Sequence, residues 1–216
     1  MSTGLRRFRE PVREPPATDR CEMCAEPLRD GHGDGEHGHV VDLETRALMC
    51  VCRGCRLLFV RQGQGRYRAV PERYLFAPSF AISPADWDEL GIPVRTAFFF
   101  RNSSLGRTVA FYPSPAGATE SLLPLATWDR VLAANPGLAD AEPDVEALLV
   151  DRRPDGCFSC HLVPIDACYR LVGLVRLRWK GFDGGREAWE AIDGFFADLR
   201  RRARVLPQPL KSAERG

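Results

Sequence analysis

Five cysteines lie in the first quarter of the chain, and their spacing is typical of a metal site. Two pairs have the form Cys-x2-Cys, the first at Cys21 and Cys24 and the second at Cys52 and Cys55. Each pair lets two thiolates converge on one ion from a single tight turn, and together they supply the four soft ligands that a tetrahedral Zn²⁺ binds at roughly 2.3 Å. The pattern therefore predicts a closed zinc site that stabilises a small module, because four protein ligands leave no position open for water or a substrate.

The second pair has an alternative ligand, Cys50. We prefer Cys52 because its spacing to Cys55 repeats that of the first pair, whereas Cys50 would need a wider loop. Cys50 then remains beside His37 and His39, which lie among several glycines. These three residues are a buried thiol with two loop histidines, or exchangeable ligands that substitute in the zinc site, or a weak second metal site, since imidazole and thiolate both bind zinc, copper and iron. An iron–sulfur cluster also takes four cysteines and is the lesser alternative to zinc.

A second group of metal-binding residue types lies later in the chain. Cys157, Cys160 and His161 form the Cys-x2-Cys-His string that attaches c-type haem. We interpret the match as accidental, because the alternating pattern gives these residues ordinary strand positions and Cys168 falls on the apolar face of a following helix. A second metal site is the alternative to buried thiols. Asp166 is interpreted as a carboxylate stabilised at a helix N-terminus, and a general base formed with His161 is the enzymatic alternative.

The composition is that of an ordinary globular protein. The chain has 216 residues, 44% of them apolar and 27% charged, with a formal net charge of +1. So weak a charge argues against nucleic-acid binding, which needs clustered Lys and Arg. No apolar run approaches the ~18 residues of a membrane span, and the Arg- and Pro-rich start lacks the apolar stretch of a signal peptide. We therefore expect a cytoplasmic protein without membrane contact, whose cysteines bind metal rather than form disulfides.

The elements that position these residues fall into two folded parts between two tails. The predicted organisation is a flexible tail at 1–19, a zinc-ribbon-like module at 20–75, an α+β domain at 76–205 and a second flexible tail at 206–216. Apolar runs at Val40 and Val41, and at 57–60, are the predicted strands of the ribbon.

The larger part alternates strand-like and helix-like patterns. Runs of β-branched and aromatic residues predict strands at 96–100, 108–112, 145–150 and 158–163, the first two as a hairpin. A capping signal at Ser83 with Pro84 predicts a short helix, and helical spacing of apolar residues predicts three more, near 125–132, 165–176 and 184–204. We expect Trp189 to be buried and the sheet to be antiparallel with helices on one face.

Two polar segments are candidate partner surfaces. Residues 113–121 are predicted to form a loop that leads into a helix capped by Thr119 or Ser121, and residues 179–185 a turn. Segments rich in Pro, Gly and polar residues are where a rigid scaffold often places its recognition residues. We select Glu120 in the first segment and Phe182 in the second as partner-binding residues. Neither segment contains an arranged nucleophile and base, so an enzyme is not the preferred interpretation.

Several strings resemble an uncharacterised protein family of actinobacteria, over a region from about residue 5 to residue 204. They are RCEMC (20–24), HGHVVD (37–42), LMCVCRGC (48–55), AFFFRN (97–102), VAFYPSPAGATES (109–121), PDVEALL (143–149), LVPIDACY (162–169) and WKGFDGG (179–185). Members carry only a domain-of-unknown-function label. Their genes tend to lie among those for nickel–iron (NiFe) hydrogenase subunits and maturation proteins, so the resemblance implies an accessory or assembly role. All the predicted metal ligands lie within the shared strings, whereas Cys157 and His161 are peculiar to this chain.

Three functions are compatible with these observations. The preferred one is a cytoplasmic metal-binding accessory protein that contacts a nickel–iron hydrogenase subunit or maturation factor. The alternative is a metal or iron–sulfur carrier, or an enzyme, that acts through the cysteine-rich module. A nucleic-acid-binding zinc ribbon is the third and least favoured.

Overall fold

The computed structural model of the protein describes residues 20–28, 37–60, 65–122, 125–181 and 184–207. Within them the fold is α+β, as expected, with a small three-stranded sheet beside a larger seven-stranded one. The tail predicted at 1–19 and most of the tail predicted at 206–216 lie outside the described residues. No helix in the described ranges is long and apolar enough to cross a membrane.

The small sheet carries the second cysteine pair at the end of one strand. Its strands are β1 (His37–Asp42), β2 (Ala47–Cys52) and β3 (Tyr67–Ala69), which pair antiparallel in the order β2-β1-β3. The helix α1 (Arg53–Leu58) follows β2 directly, with Cys52 as its N-cap residue. The strand predicted at 57–60 is therefore wrong. The cap explains the difference, because Cys52 Sγ accepts a hydrogen bond from the Cys55 amide and starts the helix before that apolar run.

The large sheet and its helices form the rest of the described chain. The strands are β4 (Leu75–Ala77), β5 (Thr96–Asn102), β6 (Arg107–Ser114), β7 (Gly117–Ser121), β8 (Glu146–Arg152), β9 (Phe158–Pro164) and β10 (Arg204–Val205). The helices are α2 (Pro84–Glu89), α3 (Leu125–Ala134), α4 (Ile165–Arg178) and α5 (Gly185–Arg202), with a 3-10 helix at Pro136–Leu138. The strand order is β10-β4-β9-β8-β5-β6-β7, and every pair is antiparallel except β10 with β4. The four predicted strands are confirmed as β5, β6, β8 and β9, and the four predicted helices as α2 to α5.

The boundary predicted between residues 75 and 76 falls inside β4. Leu75 already pairs with Leu162 of β9, whereas Ala69 pairs with Val40 in the small sheet. The chain therefore passes from one sheet to the other between residues 69 and 75.

Helices cover both faces of the large sheet, so the expectation of helices on one face is wrong. Successive side chains of a strand point to opposite faces, and β5 shows the result. Phe98 packs in a core with residues of α4 and α5 such as Leu171 and Phe196. Phe99 packs on the other side, stacked on Trp128 of α3 with 3.7 Å between ring centroids. Because both faces are covered, the central strands are apolar along their length rather than alternating with polar residues.

Two further details differ from the sequence predictions. Residues 117–121 are the edge strand β7, which pairs with β6, so neither Thr119 nor Ser121 caps a helix. Gly117, with a φ of 126°, lets the chain reverse there. Trp189 is only partly buried and lies on the flank of α5, edge-on to Trp179 at 5.6 Å. The residues that α5 buries are Ala188, Ile192, Phe195, Phe196 and Leu199.

Candidate metal centre

The four cysteines predicted as ligands lie in one cluster, which we call the four-cysteine cluster. The sulfur atoms of Cys21, Cys24, Cys52 and Cys55 all lie within 4.8 Å of one another, and 3.8 Å separates Cys24 Sγ from Cys52 Sγ. Four thiolates at 2.3 Å from one ion would have their sulfurs roughly 3.8 Å apart, at the corners of a tetrahedron. The cluster therefore fits a single tetrahedral ion after small side-chain adjustments.

The first cysteine pair lies on a tight turn that backbone hydrogen bonds close on itself. The Ala25 amide donates to the Cys21 carbonyl at 2.8 Å, and the Cys21 amide donates to the Glu26 carbonyl at 2.9 Å. Ala25 adopts a φ of 61°, a left-handed conformation that bends the chain sharply. The guanidinium of Arg20 donates to the Ala25 carbonyl at 3.0 Å and holds the bend from outside. Both thiols of the pair thereby point toward one place.

Glu22, inside the first turn, connects it to β2. The Glu22 amide donates to the Cys50 carbonyl at 3.0 Å, and the Cys50 amide donates to Glu22 Oε2 at 3.2 Å. On the other side, the Cys55 amide donates to Cys52 Sγ at 3.5 Å as β2 passes into α1. These contacts bring the two turns together even though 28 residues separate Cys24 from Cys52.

The surroundings of the cluster shift the pKa values of its thiols in opposite directions. Burial raises the pKa of the Cys21 thiol, but hydrogen bonds from the backbone amides of Cys52, Cys24 and Met23 outweigh burial and lower this pKa to about 6. Burial raises the pKa of Cys55, and hydrogen bonding to the thiol of Cys24 raises it further. Deprotonation is therefore favoured at Cys21 and disfavoured at Cys55. A cation bound at the cluster would displace the thiol protons, because the thiolate is the form that binds metal.

A second group of metal-binding side chains lies on the small sheet. Ligand atoms of His37, His39 and Cys50 all lie within 4.8 Å of one another, and all three residues are half-buried. The Nδ1 atom of His39 donates to Asp166 Oδ2 at 2.8 Å, across the contact between β1 and α4. Cys50 thus groups with the two histidines and not with the four-cysteine cluster. We refer to His37, His39 and Cys50 as the histidine–cysteine group.

The fold does not bring together the other candidate metal-binding and catalytic residues that the sequence analysis names. Cys160 and His161 lie on opposite faces of β9, with Cys160 in the core beneath α2 and α3 and the His161 ring 6.3 Å from Phe196 of α5. The pairing of Asp166 with His161 is wrong, because Asp166 is bonded to His39 and neither ring nitrogen of His161 has a hydrogen-bond partner in the described structure. Cys168 is fully buried within the apolar core under α4. Cys157 is exposed.

Only one of the two residues predicted to bind a partner lies in the described part of the chain. Glu120 is exposed on β7 and forms an ion pair with Arg107 at 3.5 Å. Its strand forms one edge of the large sheet. Phe182 lies outside the described residues.

Comparison with known proteins gives a family but no activity. No curated protein and no solved structure matches the chain. A family of unknown function, DUF5947, matches residues 20–203. This region includes the small sheet, every strand of the large sheet except β10, the four-cysteine cluster and the histidine–cysteine group. The match spans well over half of the 216 residues. The chain therefore belongs to this family of unknown function.

Proposed function

We propose that this protein is a zinc-binding accessory protein that acts by contacting another protein rather than by catalysing a reaction. The observation that carries the zinc assignment is the convergence of four sulfurs within 4.8 Å of one another. In an iron–sulfur cluster the thiolates are divided among several irons, which spreads their sulfurs further apart than a single ion does. Zinc takes four thiolates in closed structural sites. Its role here is to hold the two cysteine turns, β2 and α1 in one arrangement.

Metal analysis combined with an absorption spectrum of anaerobically purified protein tests the zinc assignment. We expect one tightly bound zinc per chain and a colourless protein. A coloured protein that contains iron would instead favour the iron–sulfur carrier. Removal of zinc by a chelator should expose four additional reactive thiols, those of the four-cysteine cluster, to a thiol reagent.

The proposed contact surface lies on α1, immediately beside the four-cysteine cluster. Leu57 is 56% exposed and Leu58 63% exposed, and Val60 just beyond the helix is 54% exposed. Large apolar side chains grouped on a surface mark sites of protein contact more often than isolated ones do. The zinc site would keep this short helix in place, because no side chain of α1 is fully buried and the helix is too short to be stable alone. Glu120 on β7, together with Phe182, is the second proposed contact.

The partner we propose is a subunit or maturation factor of a nickel–iron hydrogenase, in the cytoplasm. This part of the proposal rests on the resemblance of the eight sequence strings and not on the geometry of the site. A clean deletion of the gene should reduce the amount of assembled, active hydrogenase, and the wild-type gene supplied in trans should restore it. Unchanged hydrogenase assembly in the deletion strain would refute this partner while leaving the zinc assignment intact.

Surface variants can separate the contact from the fold. We expect Leu57→Ser combined with Leu58→Ser to weaken co-purification with the hydrogenase component and to leave the zinc content at one per chain. Leu177→Ser is the matched control, because Leu177 is 82% exposed on α4 and belongs to neither proposed contact. Glu120→Ala and Phe182→Ala test the second contact in the same assay. If the α1 variant and the control co-purify equally well, α1 is not the contact surface.

A further inference from the structure

We propose that the histidine–cysteine group is a second metal site, separate from the four-cysteine cluster, which binds a late first-row divalent ion such as Zn²⁺ or Ni²⁺ and keeps a coordination position open. This inference goes beyond the proposed function and does not depend on the hydrogenase partner. It rests on the strand register, on the contact to Asp166 and on the chemistry of the donor atoms.

The register of β1 and β2 places all three side chains on one face of the small sheet. His37 and His39 are two residues apart on β1, so their side chains point to the same side. Cys50 on β2 is the direct partner of His39 in the antiparallel pair. Side chains of directly paired residues lie on the same face with Cβ atoms roughly 4.5–5.5 Å apart. Three ligand-type residues therefore meet because of backbone pairing, which fixes their positions more firmly than a loop would.

The atomic distances fit coordination of one ion. One ligand atom from each of the three residues lies within 4.8 Å of the other two. Around a tetrahedral ion with metal–nitrogen distances near 2.0 Å and a metal–sulfur distance near 2.3 Å, neighbouring ligand atoms are roughly 3.3–3.6 Å apart. Side-chain rotations that move these ligand atoms by up to about an ångström would bring them to the distances expected around one ion. The rings of His37 and His39 are nearly perpendicular, at 83°, so they do not stack flat on each other and their edges remain available to an ion.

Asp166 orients one of the two imidazoles. Its Oδ2 accepts a hydrogen bond from His39 Nδ1 at 2.8 Å, which fixes the tautomer and directs Nε2 toward the ion. A carboxylate that accepts from the non-coordinating nitrogen of a histidine is the usual outer partner of a metal-binding histidine and raises the basicity of the ligand. The other carboxylate oxygen, Oδ1, is buried with no hydrogen-bond partner in the described structure.

The donor set selects the class of ion. Imidazole suits zinc, copper, iron and nickel, and the thiolate favours zinc and copper over magnesium, calcium and manganese. Within the described residues, no fourth Cys, His, Asp or Glu joins the group. Three protein ligands with one open position are the arrangement of sites that bind water or an exchangeable ligand, in contrast to closed structural sites. The site is therefore suited to reversible loading of an ion.

The site also lies between the two sheets. His39 belongs to β1 and Asp166 to α4, so an ion held by the histidines is linked through Asp166 to the helix that packs on the large sheet. Gly38 between the histidines has no room for a side chain, since a Cβ there would lie 2.2 Å from Cδ of Arg56. Gly38 therefore lets β1 pack closely against Arg56 of α1 on one face of the small sheet. The side chains of His37 and His39 point to the other face.

Titration of the full-length protein with Co²⁺ tests the site. The protein is first prepared anaerobically with one zinc per chain, which fills the four-cysteine cluster, and Co²⁺ is then added as an optical probe. We expect the wild type to bind one further equivalent, with a thiolate-to-cobalt charge-transfer band. Cys50→Ser should lose that band, and His37→Ala and His39→Ala should weaken binding at least tenfold. Asp166→Asn should weaken binding about 10–100-fold but keep the band.

Two controls connect the result to this group. Cys157→Ser removes an exposed thiol elsewhere and should titrate like the wild type. The zinc content should stay at one per chain in Cys50→Ser, which separates this result from failure of the four-cysteine cluster. Absence of saturable Co²⁺ binding to the wild type, or a charge-transfer band that persists in Cys50→Ser, would overturn the proposal.

Discussion

Cys50 and Cys52 are separated by a single residue, yet they belong to different clusters. Cys52 ends β2 and caps α1, so the chain turns at this residue and its sulfur lies 3.8 Å from Cys24 Sγ. Cys50 stays within the strand and groups with the histidines. We therefore expect Cys52→Ser to lose the zinc of the four-cysteine cluster and Cys50→Ser to retain it, as measured by zinc content after gel filtration. The reverse result would show that Cys50 is the fourth ligand.

His161 is expected to make the protein sensitive to acid. Its side chain is fully buried, and burial lowers its pKa to about 4, with a further contribution from Arg200. The histidine of an unfolded chain has a pKa near 6.5. Between about pH 6.5 and pH 4 the proton therefore binds the unfolded chain in preference to the folded one, and the free energy of unfolding decreases as the pH is lowered. This group alone should cost about 2 kcal/mol at about pH 5 relative to neutral pH. Urea unfolding of the wild type and of His161→Leu at both pH values measures the effect, and the variant should show a flatter dependence.

A second variant at this position separates charge from burial of a polar group. His161→Gln cannot titrate but still buries polar atoms, so it should flatten the pH dependence without raising stability at neutral pH. His161→Leu should also be more stable at neutral pH, because it removes two ring nitrogens that lack hydrogen-bond partners. Wild-type pH dependence in both variants would exclude His161 as the source.

At the scale of elements, α5 contributes to stability through the face that it turns to the sheet. Phe196 is 2% exposed in the core with α4 and the large sheet, whereas Trp189 is only partly buried, between Trp179 and the guanidinium of Arg95. We expect Phe196→Ala to cost about 3–5 kcal/mol and Trp189→Ala clearly less. Chemical denaturation monitored by circular dichroism compares the two. A larger loss for Trp189 would place that ring at the centre of the α5 contact.

The elements were largely predictable, because local signals encode them. Ser83 caps α2 as expected, and with Asp86 it forms a capping box in which each side chain is hydrogen-bonded to the backbone of the other residue. Which faces of the large sheet carry helices was harder to predict, since the packing of helices on both faces depends on contacts between residues far apart in sequence. The uninterrupted apolar run at 97–100 was the available sign of a strand buried on both faces. The sequence does not predict β7, because among its Gly, Ala, Thr, Glu and Ser only Thr favours a strand, and the segment pairs because β6 is adjacent.

The same division applies to the candidate sites. The two Cys-x2-Cys pairs are local motifs, so their clustering could be predicted. The histidine–cysteine group needs the register of β1 against β2, which the spacing of His37 and His39 alone does not reveal. The contact between Asp166 and His39 had no sequence signal, because 127 residues separate them and only the packing of α4 on the small sheet brings them together.

At the scale of the whole molecule, the two sheets are joined by side-chain contacts as well as by the chain. Val41 of β1 is part of the core that α4 and α5 share with the large sheet, and Leu43 and Leu48 pack against it. Arg68 of β3 donates to the Pro143 carbonyl at 2.8 Å and pairs with Asp144 at 3.3 Å. The small sheet is therefore packed against the larger part. We expect loss of its metal to weaken this contact before it affects the core of the large sheet.

Zinc removal should unfold the small sheet in preference to the large one. Within the described residues, the core around the four-cysteine cluster contains four buried apolar residues, namely Cys21, Leu28, Val40 and Val51. So small a core cannot offset the chain entropy of the module without the ion, whereas each face of the large sheet has an extensive core of its own. We expect hydrogen exchange in the presence of a chelator to accelerate in β1, β2 and α1 while β5, β8 and β9 remain protected. Val41 makes the two parts partly cooperative, so the unfolding midpoint of the large sheet should fall but its transition should persist.

Cys24→Ser, which lacks one ligand, should reproduce the chelated pattern without chelator, and exposed Cys157→Ser should not. Uniform loss of protection along the chain would instead mean that the two sheets fold as one unit and that the zinc stabilises both.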